Sequence, residues 1–337
     1  MKPGFWNDKK VFVTGGAGFV GAHLAAELVK ICPNVVCLVR DDVPNSLFFL
    51  EGLNQKVVSV RGDLQDYFLL ERILCEYEID IVLHLGAQTI VTTALAGPVG
   101  TFKSNIEGTW NLLEACRRFQ KIKAVVVAST DKAYGPSEQL PYQESFPLLA
   151  NGIYDVSKSC ADLIAQAYAQ SYGLPVCVTR CANLFGPGDL NFNRIVPGTI
   201  KAVFFDEELQ IRSDGKFLRE YFYVKDVVAA YLLLAEKMVE SGIKGEVFNF
   251  GAEHRYAVNE IVDVISRLMQ AAHLKKRILN QAQTEIRDQY LDAAKAGKLL
   301  GWRPRWEMEE ALKETILWYE EFFRKNSVQQ GEKTLAH

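Results

Sequence analysis

Tyr154 and Lys158 are two side chains whose types and spacing could move protons together. They stand four residues apart in a segment of helical period, so a helix would place both on one face. A tyrosine phenol with a pKa near ~10 is a poor base at neutral pH, but a neighbouring ammonium favours the phenolate and lowers that pKa. The spacing therefore predicts a base that can take a proton from a substrate hydroxyl.

Asp131 and Lys132 form a second pair of ionisable side chains, directly after Thr130 at the end of the apolar run Ala124–Ser129. Parallel α/β sheets bind their ligands outside the carboxyl ends of the strands, so this position favours chemistry. Adjacent ionisable groups shift each other's pKa and can supply an acid and a base. The alternative interpretation is a solvated ion pair at a loop, which would contribute little.

A glycine-rich turn follows the first apolar run, Val11–Thr14, and carries Gly15, Gly18 and Gly21 before a helical pattern begins. Glycine is needed where a strand turns sharply into a helix and where backbone approaches a pyrophosphate. The helix N-terminus then offers free N–H groups to that anion. Because a second strand follows and ends at Val39, the turn predicts a dinucleotide site in a βαβ unit.

Arg40 occupies the tip of that second strand, followed by Asp41 and Asp42. An arginine there accommodates the 2′-phosphate of NADP, whereas an acidic residue binds the ribose hydroxyls of NAD. Arg40 therefore slightly favours NADP⁺, the two aspartates keep NAD⁺ open, and a solvated Arg40 that selects neither is the alternative. Asp63, after the third strand, is placed either to meet the adenine or to cap the next helix.

The elements that position these residues alternate between short β-branched runs and helical patterns, which predicts an α/β fold with a Rossmann-type doubly wound parallel sheet. The predicted strands are Val11–Thr14, Val35–Val39, Val57–Arg61, Ile81–Leu85, Ala124–Ser129 and Pro175–Arg180. The predicted helices are Gly21–Ile31, Leu69–Tyr77, Thr109–Phe119, Ser157–Tyr172, Val258–Gln270 and Met308–Arg324. After Arg180 the pattern loosens, which indicates a smaller, mixed α/β C-terminal substrate lobe. We assign 1–182 and about 225–250 to dinucleotide binding, 183–224 and 251–326 to the substrate lobe, and 327–337 to a polar tail.

The overall composition narrows the functional class. The 337 residues are 49% hydrophobic and 23% charged, as expected for a globular protein, and the formal charge of −3 gives no reason to expect a nucleic-acid partner. No apolar run is long enough for a membrane span, and the first ten residues lack a signal peptide. The seven scattered cysteines predict reduced thiols and a cytoplasmic protein. The five histidines predict no metal site, and His84 is expected to be a core residue.

From Val11 to about Phe323 the chain resembles the extended short-chain dehydrogenase/reductase family, in the motifs TGGAGFVG, GDL, HLGAQ, NIEGTWNLLEA, STDKAYG, YDVSK and RCANLFGPG. Within that family it is similar to the nucleotide-sugar 4,6-dehydratases, particularly the CDP-glucose type and less closely the GDP-mannose type. The resemblance implies a lyase with tightly held NAD(P)⁺ that oxidises C4, removes water across C5–C6 and returns hydride to C6. The Asp-Lys pair replaces the commoner Asp-Glu pair, as in the CDP-glucose type.

The resemblance also implies roles for individual residues. Thr130 would bind the C4 hydroxyl, Asp131 is the candidate acid, Lys132 is the candidate base, and the division between these two stays open. Expected cofactor contacts are Gly15, Gly18, Phe19, Val20, Gly21, Arg40, Asp63, Leu64, Leu85, Gly86, Ala87, Gln88, Asn105, Tyr154 and Lys158. Expected contacts to the nucleotide-diphosphate sugar are Gln88, Thr130, Asn183, Arg194, Arg219 and Arg287, although each arginine could instead form a structural salt bridge. Nothing selects among cytidine, guanosine, uridine and thymidine.

Family members pair two helices across a two-fold axis, here Thr101–Phe119 and Ser157–Tyr172, so we expect a homodimer. A 4-epimerase or a decarboxylase that uses the same Tyr154 and Lys158 is the alternative enzyme. A non-catalytic NAD(P)-binding regulator is the alternative from another class, because fold alone does not establish chemistry. The complete set of Thr130, Tyr154 and Lys158 argues against the regulator, which would need no base.

Overall fold

The computed structural model describes residues 2–271, 273–281 and 285–335, with side chains described as far as residue 327. The strands are β1 Lys10–Thr14, β2 Asn34–Val39, β3 Val58–Arg61, β4 Ile81–His84, β5 Ala124–Ala128, β6 Val176–Cys181, β7 Asn183–Phe185, β8 Leu209–Ile211, β9 Leu218–Tyr223, β10 Val247–Phe250, β11 Arg255–Ala257, β12 Lys276–Ile278 and β13 Asp288–Gln289. The helices are α1 Phe19–Ile31, α2 Leu47–Leu50, α3 Tyr67–Glu76, α4 Val91–Ala96, α5 Pro98–Phe102, α6 Gly108–Phe119, α7 Ile153–Tyr172, α8 Ile195–Phe204, α9 Val224–Ser241, α10 Val258–Leu268, α11 Ala294–Leu300 and α12 Met308–Leu335. A π-helical turn, Lys103–Glu107, joins α5 to α6, and 3₁₀ turns span Leu53–Gln55 and Asp131–Tyr134.

A seven-stranded sheet in the order β10-β6-β5-β4-β1-β2-β3 forms the centre of the molecule. All of its strands run parallel. The chain builds outward from β1 to β3 and then restarts on the other side of β1 with β4, so the strand order reverses between β1 and β4. Ligands of such sheets bind at this reversal, outside the carboxyl ends of the strands. The predicted Rossmann-type sheet is confirmed.

Both faces of this sheet are buried except at the edge strand β3, which explains the continuous apolar runs of its other strands. Val11 and Val13 on β1 belong to the core that includes residues of α1 and α9. Phe12, between them, belongs to the core that includes residues of α3, α6 and α7. Successive side chains on a strand point to opposite faces, so β1 contributes to both cores.

A smaller lobe is built around β9, which pairs antiparallel with β11 and parallel with β7 and β13. A two-stranded sheet of β8 and β12 adjoins it, and a separate core packs α8, α10 and α12 against Phe185, Tyr221 and Tyr223. The predicted mixed α/β lobe is confirmed. The last helix, α12, continues to Leu335 rather than ending at Arg324, so much of the predicted tail, 327–337, is helical and its last two residues lie outside the described part.

Two further features concern the helices. The helix that carries the predicted redox pair, α7, begins at Ile153 rather than Ser157, which places Tyr154 in its first turn. Among the helices of the described chain, none combines the length and the apolar character that crossing a membrane would require.

Candidate active site

The glycine-rich turn sits at the reversal of strand order and packs closely against the loop after β4. Gly15 has a φ of +68°, and a Cβ there would lie 2.8 Å from the Cα of Gly86, so the loops after β1 and β4 touch. A Cβ at Gly21 would clash with the carbonyl oxygen of Gly15. Gly18 precedes α1 without a side-chain cap, so the first N–H groups of this helix are free for an anion. This cradle fits a dinucleotide pyrophosphate.

His84 ties the glycine turn to the helices behind it. Its Nδ1 lies 2.7 Å from the Thr14 hydroxyl, and its Nε2 lies 3.0 Å from the Thr109 hydroxyl. The Thr14 oxygen also accepts from the amides of Leu85 and Gly86, at 3.2 and 3.0 Å. Burial lowers the pKa of His84 to about 3, so the ring is neutral. The prediction of a hydrogen-bonded core histidine is confirmed.

Asn105, in the π-helical turn, connects the loop after β4 to the start of α7. Its Oδ1 accepts from the Gln88 amide at 2.7 Å, and its Nδ2 donates to the Gln88 carbonyl at 3.0 Å. The same Nδ2 donates to the Ser157 hydroxyl at 2.8 Å, and Ser157 donates to the Tyr154 carbonyl at 2.6 Å. Asn105 therefore fixes the first turn of α7 relative to the loop that should carry the cofactor.

Tyr154 and Lys158 lie one turn apart on α7, as their spacing predicts. Burial raises the pKa of the Tyr154 phenol, while the charge of Arg194 and the nearby Thr130 hydroxyl lower it. The Lys158 ammonium donates to the Ala128 carbonyl, and burial lowers the pKa of Lys158 to about 8. In the protein alone, desolvation of the phenol outweighs the nearby charges, so the expected lowering of the Tyr154 pKa by Lys158 together with an oxidised nicotinamide stays a prediction.

Thr130, Asp131 and Lys132 form a turn at the carboxyl end of β5. Only 1% of Asp131 is exposed, and its Oδ1 accepts from the Thr130 hydroxyl at 3.1 Å. Burial raises the pKa of Asp131 to about 6, against the lowering effect of the Lys132 charge, the Thr130 hydrogen bond and the Arg219 charge. The alternative of a solvated loop ion pair is wrong, because the carboxyl is buried. A carboxyl with this pKa can carry a proton to a leaving group near neutral pH.

A buried ion pair that the sequence analysis missed connects α7 to the sheet. Arg180 on β6 donates to both carboxylate oxygens of Asp162, at 2.8 and 3.0 Å, and both side chains are almost fully buried. The Arg180 guanidinium also lies 4.7 Å from the centre of the Tyr134 ring. Tyr134 is the last residue of the turn that begins with Asp131. No local sequence signal reveals these contacts, because they join residues far apart in the chain.

Some of the side chains predicted to contact the substrate already have hydrogen-bond partners within the protein. The Asn183 Nδ2 is buried without a hydrogen-bond partner among the described residues. Arg194 donates to Asp189 at 2.8 Å. Arg219 donates to the carbonyls of Leu218, Ile286 and Arg287, so both of its terminal nitrogens already form hydrogen bonds with backbone oxygens. Arg287 itself is exposed. Phosphate contacts by these arginines stay a prediction.

The adenosine end of the predicted cofactor site carries two arginine–aspartate pairs. The exposed Arg40 donates to Asp41 at 2.7 Å, and Arg61, at the end of β3, pairs with Asp42. Arg61 is not among the residues predicted from the sequence. The alternative that Asp63 caps the next helix is wrong, because the cap of α3 is Asp66, which accepts from the Leu69 amide. Asp63 instead accepts from the Gln65 amide at 2.9 Å.

Leu64, Leu85, Ala87 and Gln88 are further residues that were predicted to contact the cofactor. Leu64 packs where Gly86 and Gly108 leave space, since a Cβ on either glycine would meet its side chain. Leu85, Ala87 and Gln88 follow β4 and are half-buried. Across residues 2–271, 273–281 and 285–335, no three histidine, cysteine or acidic side chains are grouped as a metal site requires. All seven cysteines are free thiols in this structure, and five of them are buried.

The amino-acid sequence is similar to those of known enzymes. A family model described as GDP-mannose 4,6 dehydratase matches residues 12–315. CDP-glucose 4,6-dehydratase of Salmonella typhimurium is 31% identical over 337 residues, covering 95% of this chain and 93% of that enzyme. A trifunctional UDP-glucose 4,6-dehydratase/UDP-4-keto-6-deoxy-D-glucose 3,5-epimerase/UDP-4-keto-L-rhamnose-reductase of Arabidopsis thaliana is 32% identical over 328 residues, covering 93% of this chain. This chain spans only 47%, about half, of the Arabidopsis relative.

Solved structures with this fold include dehydratases and epimerases. A dTDP-glucose 4,6-dehydratase from Streptomyces venezuelae with NAD bound has a TM-score of 0.84 and 28% identity, covering 93% of this chain and 97% of that one. A UDP-glucose 4-epimerase from Thermotoga maritima has the same TM-score and identity, covering 93% of this chain and 99% of that one. The family model and the curated relatives above all carry 4,6-dehydratase names, which confirms the resemblance seen in the sequence. The chain belongs to the GDP-mannose 4,6 dehydratase family, among the nucleotide-sugar 4,6-dehydratases of the extended short-chain dehydrogenase/reductase type.

Proposed function

We propose that this chain is a lyase that converts a nucleotide-diphosphate hexose into its 4-keto-6-deoxy derivative with a tightly bound nicotinamide dinucleotide. The observation that carries the proposal is the turn of Asp131 and Lys132, with the buried Asp131 carboxyl next to Thr130. Thr130 in turn faces the redox residue Tyr154. An enzyme that only inverts C4 needs the redox pair but no acid and base for C5 and C6.

The crevice between the loops after β1 and β4 would hold the dinucleotide, with Gly15, Gly18 and Gly21 against the pyrophosphate. When bound, NAD(P)⁺ supplies the hydride acceptor for C4 and the hydride donor for C6. Arg40 and Arg61 together present two guanidinium groups at the ribose end, which favours NADP⁺. Asp41 and Asp42 pair with them, and either aspartate could bind the ribose hydroxyls of NAD⁺ instead.

The oxidation at C4 requires a proton acceptor for the sugar hydroxyl. Thr130 would hydrogen-bond this hydroxyl, and Tyr154 would take its proton. Since burial and the nearby charges of Asp155 and Asp131 raise the pKa of Tyr154, the phenolate needs positive charge beside it. Lys158, one turn along α7, and the oxidised nicotinamide ring are the groups that would provide this charge.

The loss of water then requires a base at C5 and an acid at C6. The 4-keto group acidifies the C5 proton, which Lys132 would remove, and Asp131 would protonate the C6 hydroxyl so that it leaves as water. The pKa of Asp131, raised to about 6 by burial, keeps a share of this carboxyl protonated near neutral pH. After reduction at C6, Lys132 would return a proton to C5, so C5 acquires a proton that has exchanged with solvent.

The second lobe would hold the rest of the substrate. We assign the dinucleotide to 1–182 and about 225–250, and the nucleotide-sugar to 183–224 and 251–326. Asn183 is the best placed of the predicted contacts, because its buried Nδ2 lacks a partner among the described residues. The CDP-glucose or GDP-mannose type of substrate and a cytoplasmic location remain part of the proposal.

A homodimer is also part of the proposal. Apolar side chains remain exposed on the neighbouring helices α4 to α7, where Leu95, Val99, Trp110 and Leu163 are 64%, 67%, 44% and 54% exposed. Such a patch on a monomer would be unfavourable in water, and its burial against a second copy would remove that cost.

Two experiments test the proposed activity. Incubation with CDP-, GDP-, UDP- and dTDP-hexoses, followed by mass spectrometry, should show loss of water from at least one of them. With that substrate, Asp131→Asn and Lys132→Met should still oxidise C4 but stall before water is lost, so reduced-nicotinamide absorbance should accumulate in a single turnover. Interconversion of C4 epimers without water loss would instead establish the epimerase alternative.

A further inference from the structure

Lys132 has a buried partner that comes from the second lobe. Gln289 on β13 is completely buried, and its Oε1 accepts from the Lys132 Nζ at 3.5 Å. Two polar atoms at this place, the Nε2 of Gln289 and the Oδ2 of Asp131, are buried without a hydrogen-bond partner among the described residues. Since buried polar atoms are normally paired, both have unused hydrogen-bonding capacity that the hydroxyl groups of a bound sugar would satisfy.

The segment that carries Gln289 is fixed relative to the turn that carries Lys132. On one side β13 pairs with β9, and on the other the Tyr142 amide donates to the Tyr290 carbonyl at 3.0 Å. The Tyr142 ring stacks on Tyr134, with 4.8 Å between centroids and 11° between planes. Tyr134 ends the same 3₁₀ turn to which Lys132 belongs. Gln289 is therefore held at a defined distance from the lysine backbone.

The Lys132 side chain needs a hydrogen-bond partner that fixes the position of its amine. A lysine has a flexible four-carbon stem, and the charge of Lys132 acts on the carboxyl groups of both Asp131 and Asp155. Without a further partner the amine would be drawn towards these carboxyl groups instead of C5. An amide oxygen accepts one N–H of the amine, charged or neutral, without adding charge, and it leaves the remaining position of the amine nitrogen free for the C5 proton.

We propose that Gln289 is a positioning residue for the elimination, which directs the Lys132 amine towards C5 of the bound sugar. This inference rests on the proposed dehydratase function and adds to it a residue from the second lobe. It also gives that lobe a part in the chemistry, because β13 supplies the group that orients a residue of the β5 turn.

The test compares Gln289→Met, which keeps the length of the side chain but lacks the acceptor, with Gln289→Glu, which restores an acceptor oxygen. In a single turnover in deuterium oxide, C4 oxidation is followed by reduced-nicotinamide absorbance, and water loss and deuterium at C5 by mass spectrometry. Gln289→Met should oxidise C4 within about twofold of wild type but lose water ~10- to 100-fold more slowly. Gln289→Glu should recover water loss to within roughly tenfold of wild type.

A matched control is Gln143→Met, since Gln143 donates to Asp292 in the neighbouring segment at 3.4 Å but is exposed and does not contact Lys132. It should behave as wild type. Equal losses of C4 oxidation and water loss in Gln289→Met would make Gln289 a general structural residue and overturn the inference. Undiminished water loss in Gln289→Met would overturn it too. A wild type that turns over nucleotide-sugars without losing water would refute the dehydratase function itself, and the inference with it.

Discussion

The buried carboxyl of Asp131 should make the folded protein less stable at neutral pH than an amide in its place. Burial raises its pKa from 3.8 to about 6, so the folded protein binds this proton more tightly than the unfolded chain does. The stabilising contribution of the protonated carboxyl is therefore full below about pH 4 and is lost as the pH rises to about 6. Above that range the protein carries the whole cost of a buried carboxylate.

The expected magnitude follows from the size of the shift. A difference of about two pKa units, at ~1.4 kcal/mol each, corresponds to about 3 kcal/mol at about pH 7.5 and to about half of that at about pH 5. Asp131→Asn removes the ionisation and retains an oxygen that can accept from Thr130. With an unfolding entropy of roughly 2.1 cal/mol/K per residue, a gain of about 3 kcal/mol would raise Tm by roughly 4 °C in a chain of this length.

Scanning calorimetry of both proteins, with saturating dinucleotide to equalise the ligand contribution, measures this difference at the two pH values. The matched control is Asp66→Asn, an exposed cap of α3 at which asparagine is an equally good cap, so its effect should stay within ~0.5 kcal/mol. Two results would refute the reasoning: an Asp131→Asn variant no more stable than wild type, or a gain equal at both pH values. The folded protein would then stabilise the Asp131 carboxylate as well as water does in the unfolded chain, and Asp131 would be a poor candidate for the acid.

Three further predictions concern the redox pair, the cofactor and assembly. Tyr154→Phe should cut turnover ~10²-fold or more without changing dinucleotide content, whereas Tyr172→Phe, at the exposed end of the same helix, should do neither. Dinucleotide released on denaturation should include NADP if Arg40 binds a 2′-phosphate. Release of NAD alone would show that Arg40 does not have this role, and Arg40→Asp would then leave the bound dinucleotide nearly unchanged. Leu163→Glu should convert a dimer to a monomer in light scattering, whereas Leu317→Glu, at an even more exposed leucine on α12, should not. An unchanged mass for Leu163→Glu would argue against this interface.

Much of the central sheet could be predicted from the sequence because its signals are local. Continuous apolar runs mark strands buried on both faces, and Gly15 and Gly21 mark a turn that side chains would obstruct. The second lobe gave weaker signals, because β7, β8, β11 and β12 have only three residues each and β13 only two. Strands this short show no period, and their pairing depends on contacts between distant segments.

The same distinction applies to the candidate site. The helical spacing of Tyr154 and Lys158 could be predicted because it depends on one helix. The pKa of Tyr154 could not, because it depends on how completely the folded chain removes water from the phenol. Two further contacts could not be predicted, because folding brings their segments together. Arg219 donates to backbone carbonyls of a distant segment, and Gln289 lies beside Lys132.

One buried ion pair connects the two stages of the proposed reaction. Tyr154, Lys158 and Asp162 succeed one another along one face of α7, and the Asp162 carboxylate binds Arg180 on β6 through two hydrogen bonds. Arg180 in turn lies over Tyr134, at the end of the turn that carries the proposed acid and base. Breaking a buried pair of this kind typically costs ~3–5 kcal/mol, so the helix and the turn are held rigidly against each other. Oxidation at C4 and elimination at C5 and C6 act on one sugar in succession, and groups with a fixed relative position can serve both steps without a change in its pose.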